Sequence, residues 1–197
     1  SSGDYGEHGL DSMVDQTRSV LDYAMGMECI DPNRVVLLGH SLGGTVALLT
    51  ATVDKRVRKL ILWSPVANPF TDIVNMAGKK VYEASVTEGA ADYMGYRLPA
   101  AYFESLTKHH PFQEARKFTG DVLLIHGTSD EAIPVDYSYL LQKVFWSRQE
   151  GQCDLDVLFQ ADHAFTSGNM SAEAIRKSLD WLDRLEEQKQ NWDGWII

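Results

Sequence analysis

The stretch Arg34-Val35-Val36-Leu37-Leu38-Gly39-His40-Ser41-Leu42-Gly43-Gly44 decides the fold. Arg34 to Leu38 is a near-continuous apolar run, which suits a parallel strand covered on both faces. Gly-x-Ser-x-Gly follows, and an apolar helical run continues through Val46, Leu48 and Leu49. A strand, a sharp turn and a helix form the setting in which this pattern presents a serine hydroxyl at a strand end. Ser41 is therefore read as a nucleophile, with Gly39, His40 and Gly43 completing the elbow. Gly39 and Gly43 are expected to remove side chains where backbones pass closely. The helix N-terminus behind Ser41 supplies free N–H groups, and the N–H of Leu42 is expected to face negative charge developing on a carbonyl oxygen.

Three further apolar runs read as strands: Lys59 to Trp63, Asp121 to Ile125 and Leu155 to Phe159. Asp156 interrupts the last, which places it nearer a sheet edge. Helical patterns alternate with them. Asp11 to Met25 sets Val14, Leu21, Ala24 and Met25 on one side, with Gly26 as a C-cap. Val135 to Trp146 follows Pro134, and Ser171 to Glu187 is expected to bury Ile175, Leu179, Trp181, Leu182 and Leu185. This alternation implies an α/β fold, a three-layer α/β/α sandwich around a mostly parallel sheet. Residues 65–120 break the rhythm, and Phe70, Tyr82, Tyr93, Tyr96, Tyr102, Phe103 and Phe112 make them aromatic-rich. A structureless loop of that length is uncommon. The stretch reads as a small inserted cap of one or two helices and a hairpin, its aromatics mostly core, within a single domain spanning 1–197.

Two more signals sit just past strands, where functional groups gather in open α/β sheets. Ile125-His126-Gly127-Thr128-Ser129-Asp130 offers an acid, and Ala161-Asp162-His163-Ala164-Phe165 offers a base. Ser41, Asp130, His163 is the chain order that a serine elbow on this architecture requires. In the implied chemistry Ser41 attacks an acyl carbonyl, and His163 takes its proton and returns it to the leaving group. Asp130 holds the imidazole tautomer, and water then clears the acyl-enzyme. Asp162 reads as a turn residue. His40 is expected to point away from Ser41 and to pack or hydrogen-bond. His126 is expected to end a strand and order a loop, and His8 to lie in a loop. His109 and His110 have no partner ligands spaced for a metal. No metal or organic cofactor is expected.

The remaining composition narrows the partners. A formal net charge of −10 over 197 residues repels phosphate backbones and anionic lipid, so neither nucleic acid nor membrane is expected. Two cysteines, Cys29 and Cys153, lie far apart and read as reduced, semi-buried thiols. No run of 18 apolar residues occurs, the opening residues do not resemble a signal peptide, and a cytoplasmic location is expected.

Together GHSLGG, HGTSDEAIP and ADHAF resemble the α/β-hydrolase superfamily. They look most like its serine-aminopeptidase-type or acyl-esterase branch, which includes cinnamoyl and feruloyl esterases. RLPAAYFESL resembles the end of the short cap in that branch. The resemblance implies Ser41, Asp130 and His163 as nucleophile, acid and base, Leu42 as one oxyanion donor, and a small ester with a short or aromatic acyl group as substrate. A thioester or peptide substrate on the same triad, or a catalytically impaired binding module, are the alternatives. In that family several strands precede the nucleophile strand, and one of their loops supplies the second oxyanion N–H. Here the chain opens on the loop and helix just before that strand, and His8-Gly9 does not substitute. The second donor is therefore expected outside this chain. Arg34 to Leu38 should be a central strand with one edge uncovered, which a complementing N-terminal segment or a second copy would pair.

Overall fold

A computed structural model describes residues 9–193. His8 and the other opening residues lie outside that range, so their expected roles are not placed.

Four parallel strands form the main sheet: β1 (Val36–His40), β2 (Lys59–Trp63), β5 (Asp121–Gly127) and β6 (Cys153–Leu158), in the order β1-β2-β5-β6. Leu38, Ile61 and Leu123 lie side by side across three strands, as do His40, Trp63 and Ile125. Alternate residues point to opposite faces. Leu60, Leu62, Val122 and Leu124 enter one core, beneath α1 (Leu10–Met25), α2 (Leu42–Val53) and α7 (Asp136–Trp146). Ile61, Leu123 and Ile125 enter the other, beneath α8 (Met170–Asp193), where Trp181 is fully buried. This is the three-layer sandwich. Among the described residues no helix is long and apolar enough to cross a membrane.

The first strand begins two residues later than the apolar run. Pro32–Arg34 form a 3-10 turn in which Asp31 Oδ1 accepts the Asn33 N–H at 2.9 Å. The strand thus continues through Gly39 and His40 directly into the elbow. The fourth strand begins at Cys153 and stops before Phe159, and it is an edge strand, as Asp156 suggested. β1 is the opposite edge of the described sheet.

Two burial expectations are corrected. Ile175 and Leu179 are 50% and 56% exposed, because α8 rests on the sheet through Ala174, Ser178 and Trp181. Lys177 and Trp181 reach toward β6, bonding Asp156 and Asp154 at 2.9 and 2.8 Å. Ile175 and Leu179 are left on the flank away from that strand. Cys29 is exposed rather than semi-buried, whereas Cys153 is buried, and both thiols are free. Burial pushes the Cys153 thiol up to about 12, which leaves it inert.

The stretch from 65 to 120 holds more helix than its sequence suggested: α3 (Pro69–Ala77), α4 (Lys79–Glu88), α5 (Ala100–Leu106) and α6 (Pro111–Glu114), with the hairpin β3 (Ala90–Tyr93) and β4 (Tyr96–Pro99) between them. Pro69 and Pro111 each sit in the first turn of a helix, where a missing N–H costs nothing. Phe70, Tyr82, Phe103 and Tyr102 meet edge to face in a chain, with centroids 5.3–5.4 Å apart. They seal α3 to α5 onto Leu10, Val46 and Leu49. Ala115 and Phe118 have already returned to the core beneath the sheet, so the excursion ends before residue 120.

Candidate active site

β1 delivers the chain into Ser41, whose backbone has φ 55° and ψ −124°. A non-glycine residue at positive φ is strained and must be held by its surroundings. The Ser41 N–H donates to the Trp63 carbonyl at 2.9 Å, and the Ser41 carbonyl accepts from Gly44 and Val66 at 3.0 and 3.2 Å. A Cβ on Gly39 would lie 2.2 Å from the Gly43 carbonyl oxygen, so only glycine fits there. The expectation for Gly43 is corrected. Its own Cβ direction is open, and it is the backbone at 43 that crowds Gly39. Gly44, against Pro65 at 3.1 Å, is the second tight position. Leu42 is the first residue of α2, so its N–H has no acceptor within the helix.

The loops after β5 and β6 interlock above the sheet. Thr128 N–H donates to the Leu158 carbonyl and Ser129 N–H to the Ala161 carbonyl, both at 2.9 Å, and Gln160 N–H donates to Thr128 Oγ1 at 2.8 Å. A side chain at Gly127 would lie 2.1 Å from the Ala161 carbonyl oxygen. That close approach brings the two loops into register. Asp162 acts as the turn residue its sequence suggested, its carboxylate accepting both the N–H and the hydroxyl of Thr166.

The three residues singled out from the sequence come together. His163 Nε2 lies 2.9 Å from Ser41 Oγ, and His163 Nδ1 lies 2.8 Å from Asp130 Oδ2. The Asp130 side chain is completely buried, and that of His163 is 18% exposed. Burial alone would raise the Asp130 carboxyl. Hydrogen bonds from His126, His163 and the Ile133 N–H overturn that and hold it well below the ordinary carboxylate range. Oδ1 accepts the N–H groups of Ala132 and Ile133 at 3.0 and 2.8 Å. Asp130 is thus a fixed anion behind the imidazole.

Two contacts were not foreseen. His40 hydrogen-bonds, its Nε2–H donating to the backbone carbonyl of His163 at 2.7 Å, and the two rings lie 4.8 Å apart. Burial pushes the His40 imidazole below the usual histidine range, which suits a neutral donor. His126 Nε2 lies 3.1 Å from Asp130 Oδ2. The four-residue spacing from His126 to Asp130 was the available signal. His109 is placed away from this centre, paired with Asp11 of α1 at 2.8 Å. Among the described residues no group of three or more His, Cys, Asp or Glu is placed to hold a metal ion.

This fold, a parallel sheet between helical layers with Ser41 at the turn from β1 into α2, is that of an α/β-hydrolase. The sequence profile of the prolyl oligopeptidase family matches residues 4–188, and the chain belongs to that family. It is 40% identical over 182 residues to the α/β hydrolase domain-containing protein WAV2 of Arabidopsis thaliana, covering 92% of this chain and 57% of that protein. The chain thus spans little more than half of that curated relative. Among solved structures it is similar to Est1E from Butyrivibrio proteoclasticus, with a TM-score of 0.72 and 21% identity over 92% of this chain and 73% of that one. Est1E is also known with ferulic acid bound. Acetyl xylan esterase 1 from a Thermoanaerobacterium species superposes at a TM-score of 0.54 and 20% identity, over 83% of this chain and 53% of that one. At these identities the structures speak for the fold alone.

Proposed function

We propose that this chain carries the catalytic triad of a serine hydrolase that cleaves carboxylic esters with a short or aromatic acyl group. The observation that carries the reading is the unbroken path from Ser41 Oγ to His163 Nε2 and from His163 Nδ1 to Asp130 Oδ2. Ser41 Oγ attacks the ester carbonyl as its proton passes to His163 Nε2. The imidazolium, paired with the buried Asp130 anion, gives that proton to the departing alcohol. Water, deprotonated by the same nitrogen, then releases the acid from Ser41. The Leu42 N–H stabilises the oxyanion on one side. Esterase relatives of the same fold favour an ester, and ferulic acid on Est1E suggests an aromatic acyl group.

The second oxyanion donor, in this reading, comes from strands beyond β1. A groove of about 560 Å³ runs along that edge, lined by Met13, Val20, Leu37, Leu38 and Val46. Leu38 is 51% exposed, and Val20 and Tyr23 of α1 are 66% and 74% exposed. Ile175 and Leu179 are open on α8. Apolar side chains on both faces beside an edge that is unpaired among the described residues suit further strands, which in this reading an N-terminal segment supplies. Losing one such donor typically lowers turnover about 100- to 1000-fold. Residues 1–197 alone are therefore expected to turn over substrate that much more slowly than a form carrying those strands. Equal rates, or a dimer of this stretch with full activity, would count against the N-terminal segment.

Family membership itself favours one other reading, a peptidase on the same triad. Turnover of p-nitrophenyl acetate and butyrate against an aminoacyl-anilide separates the two. Faster turnover of the esters, by kcat/KM, is expected, and preference for the anilide would move the assignment to peptidase.

A further inference from the structure

β5 runs Asp121-Val122-Leu123-Leu124-Ile125-His126-Gly127, and Val122 to Ile125 are completely buried. His126 is equally buried, in a position where an apolar side chain would avoid the cost of desolvating a ring with two polar nitrogens. Every polar atom of that ring is nevertheless satisfied. Nε2 faces two acceptors, Asp130 Oδ2 at 3.1 Å and the Ile133 carbonyl at 3.0 Å. Nδ1 faces the hydroxyl of Ser138, itself fully buried on α7, at 2.7 Å. Two acceptors at Nε2 assign the proton to that nitrogen, and Nδ1 then accepts from Ser138. The two acceptors thus fix the tautomer, and the Ser138 hydroxyl holds the other side of the ring.

The oxygen this donor reaches is the one that faces His163. Oδ1 is held by the Ala132 and Ile133 N–H groups, and Oδ2 faces both imidazoles, His163 Nδ1 at 2.8 Å and His126 Nε2 at 3.1 Å. Without His126 the carboxylate would keep its Oδ1 anchors but could rock about them, and Oδ2 would swing relative to Nδ1 of His163. We propose that His126, set by Ser138, is a positioning residue that fixes Asp130 Oδ2 against the imidazole of His163. The inference rests on the triad reading above. It adds a link, from Ser138 on α7 through His126 on β5, that ties the acid to the body of the sandwich.

A double-mutant cycle in the full-length protein tests it, with p-nitrophenyl butyrate as substrate and active sites counted by fluorophosphonate. His126→Phe is expected to lower kcat about 10- to 100-fold, the usual effect of a hydrogen bond to a charged group, with KM unchanged. In an Asp130→Ala background the same change is expected to cost less than about 3-fold, since nothing remains to be positioned. His126→Gln, which keeps an amide donor, is expected to recover part of the loss. A purely structural role would lower Tm alike in both backgrounds and cost the same kcat in both, and that result overturns the proposal. Asp130→Ala with undiminished kcat would instead overturn the triad reading itself. Should His126→Phe fail to fold, Ser138→Ala takes its place in the cycle. A loss confined to the Asp130 background supports the link, and an equal or absent loss overturns it.

Discussion

Asp130, in the loop after β5, and Asp72, in the first turn of α3, are both buried carboxylates, yet their surroundings drive them in opposite directions. Burial pushes both up. At Asp130 the hydrogen bonds from His126, His163 and Ile133 win, and the carboxyl is held well below its ordinary range. At Asp72 the Asn68 N–H at 2.9 Å and the Tyr137 hydroxyl at 3.1 Å do not suffice, and the carboxyl stays raised. The difference lies in the donors. Asp130 is gripped by two backbone N–H groups and two imidazoles, an arrangement built to keep a charge. Asp72 pins the start of the cap to α7 and needs no charge to do so. Burial alone therefore does not mark a working carboxylate in this molecule; the number and kind of donors does.

The largest expected effect strikes at that contrast. Asp130→Asn keeps the shape but removes the anion behind His163, and it is expected to lower kcat about 10,000-fold, read by ester turnover per active site. Asp72→Asn should leave kcat within about 3-fold, since the Asp72 carboxylate is bonded to Asn68 and Tyr137 rather than to Ser41, Asp130 or His163. A comparable loss at both positions would erase the distinction.

The pH dependence of stability sharpens it. A carboxyl depressed in the folded state contributes stability that is fully present above its unfolded value, about 3.9, and lost as pH falls through the folded one. Thermal melts should show the Tm of the wild type dropping toward that of Asp130→Asn below about pH 4. For Asp72 the sign is reversed. A raised carboxyl penalises the folded state once it is charged, so Asp72→Asn is expected to raise Tm by about 1–3 °C at pH 8, a gap that closes on acidification. A lower Tm for Asp72→Asn at pH 8 would show that its charge, not its shape, holds the cap.

Much of this arrangement was legible in the residues. The Val/Ile/Leu runs and the order of Ser41, Asp130 and His163 carried the sheet, the elbow and the loops, because burial on both faces and a strand-to-helix turn leave strong local marks. Strand ends were less legible: Asp31 captures Asn33 in a 3-10 turn and delays β1 by two residues, a side-chain effect that hydropathy does not record. The cap aromatics were visible as core, but the number of helices was not, since Gly78 and Gly89 at positive φ break one apolar stretch into separate pieces. Ile175 and Leu179 matched a buried helical stripe, yet the hold of β6 on Lys177 and Trp181 turns them outward. His126 and His40 were read as ordinary histidines, because their partners, a side chain on another element and a carbonyl 123 residues away, exist only once the chain has folded.

Fluorophosphonate labelling followed by peptide mapping tests the relay most directly. One equivalent should attach to the peptide containing Ser41, and both Ser41→Ala and His163→Ala should abolish the label together with ester turnover in folded protein. Label on another residue, or hydrolysis that survives Ser41→Ala, would contradict the account.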